Sequence, residues 1–108
     1  MEIKQVFDFT QIKGHGFNFS FEKNLKPGTY ILKMPRVSSN KRGVNDVGFM
    51  YEEGVTLYGT LARDYQGENV LWQKINPFGK INKTVSYIRI VVADTVESAR
   101  VNIRAILN

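Results

Sequence analysis

Apolar and polar residues alternate along much of this chain, and this two-residue period constrains the fold more than any other feature. Residues 17–21 (FNFSF) place three phenylalanines on one face of an extended segment, and residues 100–107 alternate in the same way. Residues 84–92 (TVSYIRIVV) are almost continuously apolar, which predicts a central strand covered on both faces. About seven or eight such segments predict an all-β protein: an antiparallel, jelly-roll-like β-sandwich forming a single domain over residues 1–108.

Turn signals divide the rest of the chain into further elements. A Pro27-Gly28 turn between two strand patterns predicts a β-hairpin over residues 17–34. The polar, aperiodic residues 36–45 predict a loop. Shorter patterns predict strands over 46–51, 55–62 and 70–75, and a single helical turn near 94–98.

The composition excludes several classes of protein. No apolar run approaches the ~18 residues of a membrane-spanning helix, so no membrane partner is expected. Aromatic residues make up 12% of the chain, and so much ring surface would collapse into a core rather than stay disordered. The absence of cysteine excludes disulfide frameworks and thiolate metal sites. The first residues lack the apolar centre of a secretory signal, so a cytoplasmic or virion-associated protein is expected.

Catalytic and metal chemistry are not expected. The single histidine, His15, lies between two glycines and has no neighbouring serine or aspartate that suggests a triad. Glu52 and Glu53 point to opposite sides of an extended chain, whereas a glycosidase needs two carboxyl groups that face each other. Asp46 and Glu52 are oxygen donors of the kind that calcium takes, but no spaced calcium loop is present. The sequence therefore predicts no enzyme, no metal site and no cofactor.

The charge distribution favours an anionic partner only weakly. The net charge is +5, and the excess of basic residues lies outside residues 46–68, which carry five acidic side chains and one basic one. The longest basic run is Lys41-Arg42, far short of a basic tract. An ordinary solvated surface is the favoured explanation of these charges.

Aromatic side chains are concentrated in the middle of the chain, where acidic residues also occur. Rings that stack on the apolar face of a sugar, beside polar groups that bind its hydroxyls, are typical of carbohydrate sites. The alternative is that these rings fill the core, as tryptophan does in many sandwiches. The predicted ligand-binding residues are Tyr51, Tyr58, Tyr65, Trp72, Asp46, Glu52 and Asp64.

The order of turns and strands resembles that of galactose-binding-like, jelly-roll carbohydrate-binding modules. The resemblance is carried by residues 25–30 (LKPGTY), Trp72, residues 82–84 (NKT) ahead of 88–90 (IRI), and the closing 101–103 (VNI). Similar modules occur as appendages of phage tail and baseplate proteins. The resemblance implies a jelly-roll fold and a non-catalytic, carbohydrate-binding function. This chain differs from the family in its short length and in having no clear calcium loop.

Three functions follow as hypotheses. The first is a non-catalytic binding module for a cell-surface polysaccharide. The second is a structural or assembly protein, such as a phage virion or decoration subunit, which would bind protein partners and form a homo-oligomer. The third is a nucleic-acid-binding protein, which the basic charge favours, although no single strand alternates aromatic and basic residues as stacking platforms do.

Overall fold

The computed structural model describes residues 2–11, 18–35, 45–81 and 85–106, and within these ranges every regular element is a β-strand. The strands are β1 (Ile3–Asp8), β2 (Asn18–Leu25), β3 (Gly28–Lys33), β4 (Asn45–Tyr51), β5 (Val55–Thr60), β6 (Gln73–Ile75), β7 (Lys80–Ile81), β8 (Tyr87–Val92) and β9 (Ala99–Ile106). The all-β prediction is thus confirmed, and turns stand where a helical turn was predicted near 94–98. None of the described segments is a helix long and apolar enough to cross a membrane.

Some sequence predictions concern parts of the chain outside the described residues. The parts concerned are His15, Phe17, most of the loop predicted over 36–45, and the motif at 82–84. The side chains of Phe19 and Asp46 lie outside the description as well, although both residues belong to strands.

The strands form two sheets. A five-stranded sheet has the order β1-β3-β8-β5-β6, and a four-stranded sheet has the order β2-β9-β4-β7. Neighbouring strands are antiparallel, as predicted, except for the parallel pair of β1 and β3. Strand β8, which contains most of the nearly continuous apolar segment, is the middle strand of the five-stranded sheet, as that pattern predicts.

The hairpin predicted over residues 17–34 is wrong, because β2 and β3 belong to different sheets. Strand β2 pairs with β9, whereas β3 pairs with β1 and β8. The Pro27-Gly28 turn instead carries the chain from one sheet to the other. Gly28 has a φ of +145°, a conformation that residues with a side chain rarely adopt. A tight turn has the same local signals whether its strands pair or separate, which explains the error.

One hydrophobic cluster joins the two sheets. The five-stranded sheet contributes Leu32, Leu57, Ile88 and Ile90, and the four-stranded sheet contributes Phe21, Phe49, Val101 and Ile103. Ring contacts also cross between the sheets, since Phe21 of β2 lies edge-on to Phe7 of β1 with 5.2 Å between the ring centroids. One face of each sheet packs in this core, and the opposite face carries the side chains that alternate with the core residues.

Gly54 lies in the turn between β4 and β5, and replacing it tests the geometry of that turn. Its φ is +92°, and a Cβ added there would lie 2.7 Å from Cγ1 of Val96. We predict that Gly54→Ala lowers the free energy of unfolding by about 1–3 kcal/mol, because it adds backbone strain and overpacks the site. Urea denaturation measures this change. The double variant with Val96→Ala should recover only part of the loss, and an unchanged Gly54→Ala protein would contradict the turn described here.

Candidate functional site

Tyr51, the last residue of β4, lies in the core. Its side chain is 8% exposed, and its hydroxyl donates a hydrogen bond to the backbone carbonyl of Ile75 in β6. Because β4 and β6 belong to different sheets, this hydrogen bond links the two sheets. The ring of Tyr51 is therefore part of the packing rather than of a surface that a ligand can reach.

Burial raises the pKa of the Tyr51 hydroxyl above its ordinary value of 10.0. Because the folded-state pKa exceeds the unfolded one, the neutral phenol stabilises the fold fully below about pH 10. This contribution is lost as the pH rises from there through the raised pKa. We predict that wild-type stability falls more steeply than that of Tyr51→Phe above about pH 10, measured by urea denaturation across the alkaline range. Parallel curves for the two proteins would contradict the burial of this hydroxyl.

Aromatic and cationic side chains meet on the outer face of the five-stranded sheet, which is the face opposite the core. Along β5 and β8, buried core residues alternate with Tyr58 and Arg89, which are half-buried on the outer face. The two residues are direct partners in the β5–β8 register. Cζ of Arg89 lies 4.4 Å from the ring centroid of Tyr58 and 4.8 Å from that of Trp72. We refer to Tyr58, Trp72 and Arg89 as the arginine stack.

The segment between β5 and β6 brings Trp72 to the outer face. Residues 61–72 are anchored near their start, where the Tyr87 hydroxyl donates a hydrogen bond to the Arg63 carbonyl at 3.0 Å. The Oγ of Ser86 donates to the Leu61 carbonyl at 3.4 Å. Strand β6 then begins directly after Trp72 and pairs with β5. Trp72 is thus fixed between an anchored segment and a paired strand.

A second group of rings and cations lies beside the arginine stack. The ring of Tyr65 lies 5.2 Å from that of Tyr87, and Nζ of Lys33 lies 5.7 Å from the Tyr65 centroid. Lys33 and Tyr87 are partners in the β3–β8 register, two residues along β8 from Arg89. Nζ of Lys33 also lies 3.9 Å from a carboxylate oxygen of Asp8, so this cation has a partial counter-charge.

Arg89 has no such counter-charge among the described residues. Its Nε is buried and has no hydrogen-bond partner there, and the recorded ion pairs involve other residues. Contacts with two rings stabilise the cation, by about 0.5–2 kcal/mol for each such contact in general. A buried donor without an acceptor generally costs about 1–3 kcal/mol, so it is a feature that requires an explanation. Because Nε is buried, a ligand meets this guanidinium at its terminal nitrogens rather than at Nε.

The acidic residues of the predicted site are dispersed. Oε2 of Glu52 accepts a hydrogen bond from the backbone N–H of Arg100 at 3.1 Å, in the four-stranded sheet. Oδ1 of Asp64 accepts one from the backbone N–H of Gln66 at 3.0 Å, within a turn. Both carboxylates therefore hold backbone in place. The described ranges contain no cluster of three or more side chains suited to holding a metal ion.

The structure thus divides the residues predicted from the sequence. Tyr58, Tyr65 and Trp72 lie on the outer face, Tyr51 lies in the core, and Glu52 and Asp64 support backbone. Arg89 is absent from the residues predicted from the sequence. The sequence feature that points to Arg89 is its place in the middle of an otherwise apolar strand, where it alternates with Ile88 and Ile90.

Comparisons with known proteins found no relative of this chain. A scan against protein-family models, a search of curated proteins and a search of solved structures each give no match. The resemblance to carbohydrate-binding modules remains a hypothesis, and function is inferred from the side chains of the outer face.

Proposed function

We propose that this protein is a non-catalytic binding module for a cell-surface polysaccharide, built as a jelly-roll-like β-sandwich. The observation that carries the proposal is the arginine stack, in which two rings from different parts of the chain meet around one cation.

The chemistry of the arginine stack suits a sugar. A pyranose ring presents an apolar C–H surface, which an aromatic ring covers, and hydroxyls, which a guanidinium can bind as a donor. Tyr58 and Trp72 are both half-buried, so each combines fixed packing with remaining accessible surface. Contact with Arg89 restricts the motion of both rings. A platform that is ordered before binding loses less conformational entropy when a ligand arrives.

The fold supports the proposal in a second way. Two sheets that share one hydrophobic cluster are compatible with the proposed β-sandwich, in which the face of a sheet opposite the core can carry a binding site. The arginine stack lies on residues of β5 and β8 and beside β6, which are regular, paired strands. Sites built on strands hold their geometry better than sites built on loops.

Affinity electrophoresis tests the proposal directly. The wild-type protein is run through native gels containing one polysaccharide each, from a panel of neutral and acidic bacterial and plant polymers, with a non-binding reference protein in every lane. We expect retardation by at least one polymer, at a concentration that leaves the reference unchanged. Unchanged mobility in every gel would overturn the proposal.

An assembly protein is a second candidate function, favoured by large apolar side chains at the surface. Leu61, Leu71 and Phe78 are 59%, 72% and 74% exposed, and contact with a second chain would bury them. Size-exclusion chromatography with light scattering distinguishes this candidate. A stable oligomer at micromolar concentration would support it, and a monomer would count against it.

A further inference from the structure

We infer that the outer face selects an acidic polysaccharide, one whose sugars carry carboxylates, over a neutral polymer of the same backbone. The inference rests on the proposed function and specifies its ligand class. It depends on the balance of charges on the outer face rather than on the rings.

Arg89 is the central cation of the outer face. Its guanidinium is flanked by Tyr58 and Trp72, and within the described ranges no carboxylate forms an ion pair with it. A polymer that covers the arginine stack removes more water from this cation. Covering a charge without supplying a counter-charge is unfavourable, and a neutral sugar supplies none. A carboxylate supplies both the charge and paired acceptors that match the planar guanidinium.

Two lysines share the outer face with Arg89. Lys74 of β6 is the register partner of Tyr58, so it shares the outer face, and it is exposed. Lys33 lies on the same face across β8. Asp8 forms an ion pair with Lys33, and within the described ranges no carboxylate forms one with Arg89 or Lys74. These two unpaired cations favour an anionic ligand at this face.

Paired polymers test the inference. Polygalacturonate, alginate and hyaluronate are each compared with a methyl-esterified form of the same chain, which keeps the sugar rings and removes the charge. Affinity electrophoresis gives the dissociation constants in moderate salt, and dextran sulfate and single-stranded DNA serve as polyanions of other chemistry. We expect at least one polyuronate to bind at least ~10-fold more tightly than its ester, and more tightly than either other polyanion.

Variants connect the selectivity to the residues. Arg89→Gln should reduce the preference for the polyuronate over its ester to less than about threefold, with thermal melts to confirm folding. Lys74→Gln removes an exposed charge beside the stack and should weaken polyuronate binding about two- to threefold even if Arg89→Gln fails to fold. Lys26→Gln is the matched control, because Lys26 is exposed in the turn between β2 and β3, outside the strands that carry the arginine stack.

The outcomes separate the inference from the proposed function. Equal binding of esters and polyuronates would overturn the inference and leave polysaccharide binding intact. Failure of every polymer, neutral or acidic, across this and the wider panel would overturn both. Equal binding of dextran sulfate or DNA would show a general polyanion surface and overturn the inference. Equal losses in Lys74→Gln and Lys26→Gln would also overturn it, because the effect would then come from net charge alone.

Discussion

Replacing Phe21 by alanine is expected to lower the free energy of unfolding by about 3–5 kcal/mol, the usual range for truncation of a buried ring. Phe21 is 3% exposed and lies in the cluster that joins the two sheets. Its ring contacts Phe7 at 5.2 Å and Phe9 at 6.0 Å between centroids, so its loss leaves a cavity between rigid neighbours. Because domains of this size are stable by about 5–15 kcal/mol, the variant approaches the limit of folding.

Ser20→Ala is the matched control for Phe21→Ala. Ser20 precedes Phe21 in β2, is exposed, and points to the opposite face of the four-stranded sheet. Its replacement should change the free energy of unfolding by no more than about 0.5 kcal/mol. Urea denaturation of both variants measures the contrast. Similar midpoints would mean that the register of β2 against β9 differs from the one described here.

Trp72→Ala is expected to weaken polysaccharide binding at least ~10-fold, which corresponds to about 1.4 kcal/mol. Trp72 is half-buried and contributes a ring to the arginine stack, while the hydrophobic cluster of the core does not include it. The melting temperature should therefore change little. Tyr58→Ala should show the same pattern, because it removes the other ring that contacts Arg89.

Leu71→Ala provides the comparison for the Trp72 variant. Leu71 is the preceding residue and is 72% exposed, so its truncation removes apolar surface and leaves both rings of the arginine stack in place. Its binding should stay within about twofold of wild type. If Trp72→Ala binds as well as Leu71→Ala, the ligand lies elsewhere. If Trp72→Ala loses binding only because it unfolds, the ring is structural.

The sequence predicted the strands far better than their partners. Alternation reports which side chains face inward, and it placed β9 correctly. The nearly continuous apolar segment placed β8 at the centre of its sheet. Pairing depends on contacts between segments far apart in the chain. The β2–β9 pair and the separation of β2 from β3 therefore contradicted the hairpin that the local turn predicted.

The candidate site was predictable in the same partial way. The concentration of aromatic residues in the sequence predicted Tyr58, Tyr65 and Trp72 as ligand-binding residues, and these three share one face. The same pattern included Tyr51, whose hydroxyl donates a hydrogen bond across the core. Arg89 was not predicted, because its role arises from the register of β5 against β8 and from the path of the segment that ends at Trp72. No short-range pattern contains that information.

The most direct test of polysaccharide binding at the arginine stack is the fluorescence of Trp72, the single tryptophan of the chain. Its emission reports one position, so no other indole obscures the signal. On titration with a polymer that retards the protein in gels, we expect a saturable change in emission and protection from acrylamide quenching, with a midpoint matching the electrophoretic dissociation constant. Binding in gels with unchanged emission and unchanged quenching would contradict the placement of the site.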